Sequence, residues 1–545
     1  MKKKLLISVF VAFLLFPCFS LKAQRNQLER PKVVIGIVVD QMRWDYLYRF
    51  YNRYEEGGFK RLLNQGFSFE NTFINYVPSY TAVGHTVIYT GSVPAITGIV
   101  GNNWINQLTG EEWYCTEDPT VETIGSSGSV GQMSPKRMLV TTVTDELRLA
   151  TNFRGKVVGV SLKDRASILP AGHSPSGAFW YDNRTSDFIT SSYYMNELPQ
   201  WVQAFNNRDI PQELMNQEWS TLYPIETYIQ SSDDNVSWEG TFSGEKEPTF
   251  PHDLAQIFKR DKGAIRSTPF GNTLTLKFAQ AAIEGYQLGE DNITDFLTVN
   301  LASTDYVGHK FGPNSIEVED TYLRLDQDLA HFFDALDEKF GKGNYLVFLT
   351  ADHAGAHSTG FMQKHKLPSG DEKLGDLQQN LNKYLSKRFQ GDKLVRSFIN
   401  DHVVYDMDKV QDAELDFDLV KEATVEFLKK QPVIQFAVDI ERIGEAPIPE
   451  PIKTKIINGY NYKRTGAVVF IPNSGWMNGN ATGTTHGTWT PYDSHIPLVF
   501  MGWGIEQGTS HRHVRMSDIA PTIAALLHIQ MGSGNVGTPL VEVLD

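Results

Sequence analysis

The sequence predicts an α/β fold with a mostly parallel central sheet, and three observations support this class. Four apolar segments, at 33–40, 156–162, 296–305 and 345–352, have the length of strands and almost no polar interruption. Such continuous apolar runs are typical of parallel strands that are buried on both faces. Each run ends in polar residues, and helix-like segments separate the runs.

Bulk composition bounds the class of protein. The chain has 545 residues and a hydrophobic content of 41%, which is enough for a large globular core. The formal net charge of −14 argues against a nucleic-acid partner, because phosphate contacts need clustered Lys and Arg. We expect small-molecule substrates, no nucleic-acid partner and a monomer.

Residues 1–23 have the pattern of a secretory signal peptide. Three lysines precede a short apolar run at 5–16, and Ala23 supplies a small residue for cleavage. The run is too short for a stable membrane span, so we expect a periplasmic or secreted protein that has no span after cleavage. Cleavage would remove four lysines, which changes the net charge from −14 to −18, and would leave Cys115 without a disulfide partner.

The first strand ends on Asp40, and ligands of open α/β sheets bind beyond the carboxyl ends of strands. The alternative role for Asp40 is to cap the helix that follows. Asp305 and Asp352 end the third and fourth apolar runs in the same way. His309 follows Asp305 at the i+4 spacing, which places both side chains on one side of a helical turn. His353 follows Asp352 directly.

A helix is predicted to begin near Thr81, after Pro78 and Ser79 and before an apolar run. Unpaired N–H groups and the positive end of the helix dipole attract phosphate to such a position. A hydroxyl there can attack the anion beside it; the alternative is an ordinary capping hydroxyl.

Further polar residues are candidate anion ligands. Asn102 follows a glycine turn, and its amide can donate to an oxyanion, although a plain turn is the commoner role. Lys163 and Arg165 follow the second apolar run, and in an extended segment they project to the same side. Two cations on one side favour a phosphate clamp, with a solvated basic pair as the alternative. His486 lies in a loop of Gly and Thr.

The alternation of apolar strand-like runs with helix-like segments becomes less regular at about 166–292 and again at about 358–471. We predict two inserted lobes on a single catalytic domain that spans residues 24–545. The first lobe is expected to cover the edge of the sheet.

The acids and imidazoles form one set of nitrogen and oxygen ligands without cysteine, which favours two zinc ions. Two metal ions about 4 Å apart can clamp the attacking and leaving oxygens of an in-line displacement. The set consists of Asp40, Asp305, His309, Asp352, His353 and His486, with Thr81 beside it.

These motifs, taken in order, resemble the alkaline phosphatase superfamily and most closely its secreted, phosphate-irrepressible bacterial alkaline phosphatases with a Thr nucleophile. The resemblance covers essentially the whole mature chain and implies a three-layer α/β sandwich. It implies that Asp305, His309 and His486 bind one zinc ion. It assigns the second zinc to Asp40, Asp352 and His353, with Thr81 as ligand and nucleophile.

The resemblance further implies that a phosphothreonine forms and that water then hydrolyses it. Asn102, Lys163 and Arg165 would bind the non-bridging oxygens. The expected substrates are phosphate monoesters, since two cations match a dianionic phosphoryl group.

Two other functions stay open at this point. One is a phosphodiesterase or nucleotide pyrophosphatase, which shares the Thr, the Asn and the metal ligands. The other, from a different class, is an exported protein that binds phosphate esters without turning them over. A sulfatase is disfavoured, because no Cys or Ser is followed by x-Pro-x-Arg.

Overall fold

The computed structural model describes residues 29–107, 109–479 and 482–544. Residues Pro31–Asp545 form one compact unit. The predicted signal peptide, residues 1–23, lies outside the described residues.

An eleven-stranded sheet forms the centre of the compact unit. A parallel block lies in its middle, and antiparallel strands flank the block on both sides. This arrangement confirms the predicted α/β class. In spatial order the strands are His495–Ile496, Phe67–Phe73, Leu498–Gly502, Tyr345–Thr350, Val33–Val39, Asp295–Leu301, Val157–Val160, Gly177–Asp182, Asp187–Ser191 and Thr123–Ile124, with Gly508–Arg515 paired to Phe67–Phe73.

The central strand Val33–Val39 is buried along its whole length, as its apolar sequence predicts. It pairs in parallel with Asp295–Leu301 on one side and with Tyr345–Thr350 on the other. Val33 lies opposite both Asp295 and Tyr345, so the three strands run level. Their carboxyl ends therefore reach the same edge of the sheet, which brings together the residues that come after each strand.

Helices pack against this sheet and against one another; Asp164–Ala171, for example, contacts the strands Val157–Val160 and Gly177–Asp182. No helix within the described residues has both the length and the apolar character needed to cross a membrane. The α-helices are Tyr46–Arg49, Phe59–Gln65, Thr81–Thr90, Pro94–Thr97, Val143–Ala150, Asp164–Ala171, Gln200–Asn206, Ile210–Met215, Leu254–Arg260, Phe270–Tyr286, Ser303–Phe311, Ile316–Phe340, Thr359–Lys364, Leu374–Phe389, Met407–Asp412, Phe417–Lys429, Glu450–Gly459, Pro491–Ser494 and Ile519–Leu526.

The segment 166–292 differs from the predicted lobe. Its strands Gly177–Asp182 and Asp187–Ser191 continue the central sheet, and its helix Phe270–Tyr286 packs on the strand Asp295–Leu301. Its apolar side chains, including Phe179 and Phe278, belong to the main core. The frequent aromatic residues are thus core residues of the sheet.

The segment 358–471 carries a separate antiparallel sheet, in the order Val395–Ile399, His402–Tyr405, Val468–Pro472 and Ile434–Asp439. Its buried residues form clusters distinct from the main core, such as that around Leu381 and Phe470. Small two-stranded sheets complete the fold; they pair Asn103–Ile105 with Glu112–Tyr114, Glu218–Trp219 with His252–Asp253, and Gly370–Asp371 with Trp476–Met477.

Gly84 tests how closely the helix Thr81–Thr90 must approach the sheet edge. A Cβ at this position would lie 2.2 Å from the backbone oxygen of Asp352. We expect Gly84→Ala to cost about 1–3 kcal/mol of unfolding free energy and to lower activity, because the helix must move away from Asp352. Urea unfolding and turnover measurements check this.

Gly375→Ala is the matched control, because a Cβ there meets no atom within 4 Å and the residue lies in an exposed first helical turn. It should stabilise the protein by roughly 0.5–1 kcal/mol or leave it unchanged. Equal effects of the two substitutions would show that the close approach at Gly84 is unimportant.

Candidate active site

Thr81 is the first residue of the helix Thr81–Thr90, as the sequence predicts, and it follows an extended Tyr80. Its side chain is buried, and its Oγ1 lies 3.4 Å from Nε2 of His353. Asn102 stands beside this helix start: its Oδ1 accepts a hydrogen bond of 3.0 Å from the Ala82 N–H. The amide N–H groups of Asn102 therefore remain as donors next to the hydroxyl.

The predicted metal ligands come together beside Thr81. Ligand atoms of Asp40, Asp352 and His353 converge within 4.8 Å of one another, and those of Asp305, His353 and His486 do the same. His309 lies next to the second group, with Nε2 3.0 Å from Oδ1 of Asp305. These are the six residues that the sequence selects, gathered at one edge of the sheet. His353 belongs to both geometric groups, whereas the resemblance assigns it to one zinc ion.

The three histidines share one orientation. Each Nδ1 lies within hydrogen-bond distance of a backbone oxygen: His309 on Thr484 at 2.8 Å, His353 on Ala354 at 3.0 Å, and His486 on Ser79 at 2.7 Å. A carbonyl only accepts, so each Nδ1 carries a proton, and Nε2 is the nitrogen that faces the carboxylates. This is the tautomer that a metal-ligating imidazole requires.

Two carboxylate oxygens in this cluster have no hydrogen-bond partner among the described residues, namely Oδ1 of Asp40 and Oδ2 of Asp352. Both side chains are fully buried. Buried charged oxygens without partners carry a large desolvation penalty unless a cation lies beside them. The donor set therefore fits bound metal ions, and its mixture of imidazole and carboxylate fits zinc.

Electrostatics agree with this assignment. Burial and the Asp352 charge raise the pKa of Asp40 well above its usual value. Burial opposes ionisation of Asp305 as well, but His309 and Lys163 hold its pKa well below the usual range. Burial lowers the pKa of His353, and it lowers that of His486 further. Burial opposes the charged form of His309 too, but Asp305 raises its pKa, so binding of a metal ion there would release a proton.

Two details of the sequence prediction are wrong. The third strand ends at Leu301, and Asp305 instead lies in the first turn of the helix Ser303–Phe311. The second strand ends at Val160, and a helix begins at Asp164, so Lys163 and Arg165 are not in an extended segment. The polar residues after each strand start a helix sooner than the apolar pattern indicates.

Lys163 nevertheless lies inside the cluster. Its Nζ donates to Oδ2 of Asp40 at 2.8 Å and to Oδ2 of Asp305 at 2.6 Å. Although burial alone lowers its pKa, these carboxylates raise it, so the ammonium stays charged. One ammonium faces three carboxylates, which leaves the cluster with excess negative charge.

Lys163 and Arg266 both lie over the aromatic ring of Tyr306. Nζ of Lys163 lies 4.9 Å from the centre of this ring, and the guanidinium carbon of Arg266 lies 4.6 Å from it. Arg165 donates to the hydroxyl of Tyr114 at 3.1 Å, and its charge acts on Lys163. Roles for Tyr114, Arg266 and Tyr306 are not among the sequence predictions; the position of Tyr306 next to Asp305 was the available signal.

Gln41 and His85 also hold the cluster and were missed. The Gln41 amide donates to Oδ1 of Asp305 at 2.7 Å, and its backbone N–H donates to Oδ1 of Asp352 at 3.2 Å. His85 lies one turn after Thr81, with Nδ1 2.9 Å from the Thr81 carbonyl oxygen and 3.4 Å from Oδ2 of Asp352. Their positions beside Asp40 and Thr81 in the sequence were the available signals.

Two cavities open beside the cluster and offer room for a substrate. One, of about 630 Å³, is lined by His309, Trp238 and Thr485 among others. The other, of about 320 Å³, is lined by His486 and Tyr80 among others. Each cavity thus reaches a histidine of the buried cluster.

The architecture, with its ligand residues at the carboxyl edge of parallel strands, is that of the alkaline phosphatase superfamily. Within it, the chain belongs to the type I phosphodiesterase / nucleotide pyrophosphatase family, whose model matches residues 34–494.

The chain is similar to two proteins named alkaline phosphatases and to a solved structure of one of them. It is 57% identical to alkaline phosphatase PafA of Elizabethkingia meningoseptica, over 95% of each chain. It is 52% identical to alkaline phosphatase PhoV of Synechococcus elongatus, over the whole of both chains. A crystal structure of wild-type alkaline phosphatase PafA superimposes with a TM-score of 0.94 and covers 95% of this chain and 100% of that one.

We expect a chelator to remove any hydrolytic activity and zinc to restore it better than magnesium, because magnesium prefers all-oxygen sites. Metal analysis of the native protein should find two zinc ions per chain. His486→Ala should lower this content, whereas His511→Ala, at an exposed position, should not. A native content of one ion, or chiefly magnesium, would contradict the two-zinc assignment.

Proposed function

We propose that this protein is an exported alkaline phosphatase that hydrolyses phosphate monoesters through a phosphothreonine on Thr81. The observation that carries the proposal is the position of the Thr81 hydroxyl. It lies at a helix N-terminus, 3.4 Å from Nε2 of His353, beside carboxylate oxygens that lack partners. The similarity to two proteins named alkaline phosphatases supports the same conclusion.

The cofactors in this proposal are two zinc ions. Asp305, His309 and His486 would hold one ion, and Asp40, Asp352, His353 and Thr81 the other. Bound zinc would lower the pKa of the Thr81 hydroxyl and of water and neutralise charge on the reacting oxygens.

The reaction has two displacements at phosphorus. Thr81 Oγ1 forms a bond to phosphorus while the bond from phosphorus to the ester oxygen breaks, and the alcohol leaves after taking up a proton. Water then attacks the phosphothreonine, the bond between Oγ1 and phosphorus breaks, and phosphate is released. The net change is ester plus water to alcohol plus phosphate, and Thr81 is regenerated.

Asn102, Lys163 and Arg165 would bind the non-bridging oxygens of the phosphoryl group. The Asn102 oxygen already accepts from Ala82, so its N–H groups are the ones available. Lys163 neutralises Asp40 and Asp305 in this structure. Once cations bind those carboxylates, the ammonium is available to the phosphoryl oxygens.

The alternative function is hydrolysis of phosphodiesters or nucleotide pyrophosphates, which the name of the family model mentions. Charge favours monoesters. The second negative charge of a terminal phosphoryl group matches the paired cations Lys163 and Arg165, whereas a diester brings one charge and a second substituent. Assays of a chromogenic monoester and diester, each with and without chelator, separate the two. The absence of turnover with either would favour the non-catalytic binding protein.

We further propose that residues 24–545 form a single catalytic domain, exported as a monomer to the periplasm or the medium. The pattern of residues 1–23 supports export. Mass spectrometry of the exported protein would test the cleavage site, and light scattering would test the monomer.

Thr81→Ala should lower turnover by several orders of magnitude and leave zinc content nearly unchanged, because the nucleophilic oxygen is lost while the other ligands remain. Thr81→Ser keeps that oxygen and should retain substantial activity. Thr86→Ala is the matched control: this hydroxyl in the same helix donates to the Ala82 carbonyl instead. Near-normal activity of a zinc-loaded Thr81→Ala protein would exclude the nucleophile.

The double variant Lys163→Ala/Arg165→Ala should lower kcat/KM for a monoester by roughly a hundredfold to ten-thousandfold, since each charge-assisted contact contributes about 1.5–3 kcal/mol. The diester rate should fall less. Metal content must be measured in parallel, because Lys163 also contacts Asp40 and Asp305. Parallel losses for both substrates would make the pair a general anchor, and a wild type that prefers the diester would favour the alternative function.

A further inference from the structure

The cavity beside His486 is acidic. Three carboxylates line it, from Glu372, Asp401 and Asp493. No Lys or Arg is among the described residues that line it, and none of the three carboxylates forms an ion pair within the described chain. The cavity is therefore lined by three carboxyl groups and by no basic side chain of the described residues, although Arg43 and Lys455 act on Asp493 from outside this lining.

Asp493 has a carboxylate oxygen that is available to a ligand in the cavity. The side chain is fully buried, and its Oδ2 accepts from the Thr488 N–H at 2.9 Å and from the Thr488 hydroxyl at 2.6 Å. Its Oδ1 has no partner among the described residues, although Asp493 lines the cavity. A buried carboxylate oxygen without a partner is costly unless a cation or a donor lies in the cavity.

The walls favour an organic cation over a metal ion. The aromatic residues Tyr80, Phe398 and Trp476 line the same cavity, and aromatic faces attract alkylammonium groups. The groups of described residues whose ligand atoms converge within 4.8 Å do not include the three carboxylates together. They are thus too far apart to surround one metal ion, whereas a cavity of about 320 Å³ accommodates an ammonium group with its alkyl substituents.

The cavity is joined to the reacting centre. Tyr80 precedes Thr81, and its ring lies 5.7 Å from the imidazole of His486 between centroids. In the proposed function His486 would help to hold one of the two zinc ions. A leaving group that departs on this side enters the acidic cavity.

We propose that this cavity binds a positively charged leaving group, so that the enzyme prefers phosphate monoesters of amino alcohols and of their quaternary ammonium counterparts. This inference rests on the proposed monoesterase function and adds a substrate class to it. Asp401 and Glu372 supply the charge, Tyr80, Phe398 and Trp476 supply the aromatic walls, and Asp493 supplies the buried acceptor.

Burial and mutual repulsion oppose ionisation of the three carboxyl groups, and their pKa values are raised. Burial, with repulsion from Asp371 and Asp493, raises the pKa of Glu372 to about 7. Burial raises the pKa of Asp493 to about 7 as well. Burial and the charges of Glu372 and Asp493 raise the pKa of Asp401 well above its usual value. A bound ammonium would relieve this repulsion.

The test compares two esters of nearly the same shape, choline phosphate and 3,3-dimethylbutyl phosphate, in which carbon replaces the charged nitrogen. The zinc-loaded wild type should have the higher kcat/KM for choline phosphate. Asp401→Asn should reduce that value about three- to tenfold and leave the neutral ester nearly unchanged, because one partly screened charge is removed. Asn tolerates the positive φ of 59° at this position, so the backbone is not strained.

Asp376→Asn is the matched control, since it removes one carboxylate from an exposed site on the helix Leu374–Phe389. It should change neither ester. Glu372→Gln is the second test variant and should act as Asp401→Asn does, with urea unfolding to confirm that both variants fold.

Three results would overturn the inference: equal kcat/KM of the wild type for both esters, parallel losses for both esters in the variants, or a calcium-dependent gain for both esters that Asp401→Asn abolishes. The last would identify a metal ion as the occupant. Failure of the monoesterase function is distinct, because the wild type would then hydrolyse neither ester.

Discussion

The site depends on buried negative charge that the protein does not itself neutralise. Asp40, Asp305 and Asp352 face a single ammonium, Lys163, and oxygens of Asp40 and Asp352 are left without partners. Such an arrangement destabilises the fold unless cations bind. The level register of the three central strands holds it in place, because each strand delivers the residues after its carboxyl end to the same edge. The stability of the sheet therefore offsets the cost of the buried charge.

Surrounding groups fix the orientation of the ligands. Backbone oxygens of Ser79, Ala354 and Thr484 accept the Nδ1 protons of the three histidines. Gln41 contacts the carboxylate of Asp305, and His85 contacts that of Asp352. Preorganisation of this kind lets charge that develops in a reaction meet fixed dipoles, so little reorganisation is needed at the moment of transfer.

The sequence predicted those features that depend on local pattern. Continuous apolar runs identified the central strands, and the start signal before Thr81 located its helix. Helix starts after strands were less predictable: a helix already begins at Asp164, where the sequence predicts an extended segment. A cap such as Thr142 forms through hydrogen bonds that only the folded chain supplies. The aromatic residues of 166–292 do not follow a helix or strand periodicity in the sequence, although they pack in the main core where this segment continues the central sheet. Gln41 and Tyr306 adjoin predicted site residues in the sequence, but the groups that they contact are brought to them by distant elements.

The residues proposed for catalysis and those proposed for substrate selectivity come from different parts of the fold. The groups that would transfer phosphoryl are held by the central sheet and the helices at its edge, whereas Glu372, Phe398 and Asp401 come from the segment 358–471, which has its own sheet and its own core. Substitutions in that segment can change the walls of a cavity without moving the strands that precede the candidate metal ligands. His486 and Asp493 lie on the chain that returns from that segment to the strand Leu498–Gly502. The residues proposed for catalysis and those proposed for leaving-group recognition therefore meet on this connecting chain. A substitution in the segment 358–471 that shifts this chain can change the rate of hydrolysis as well as the substrate preference.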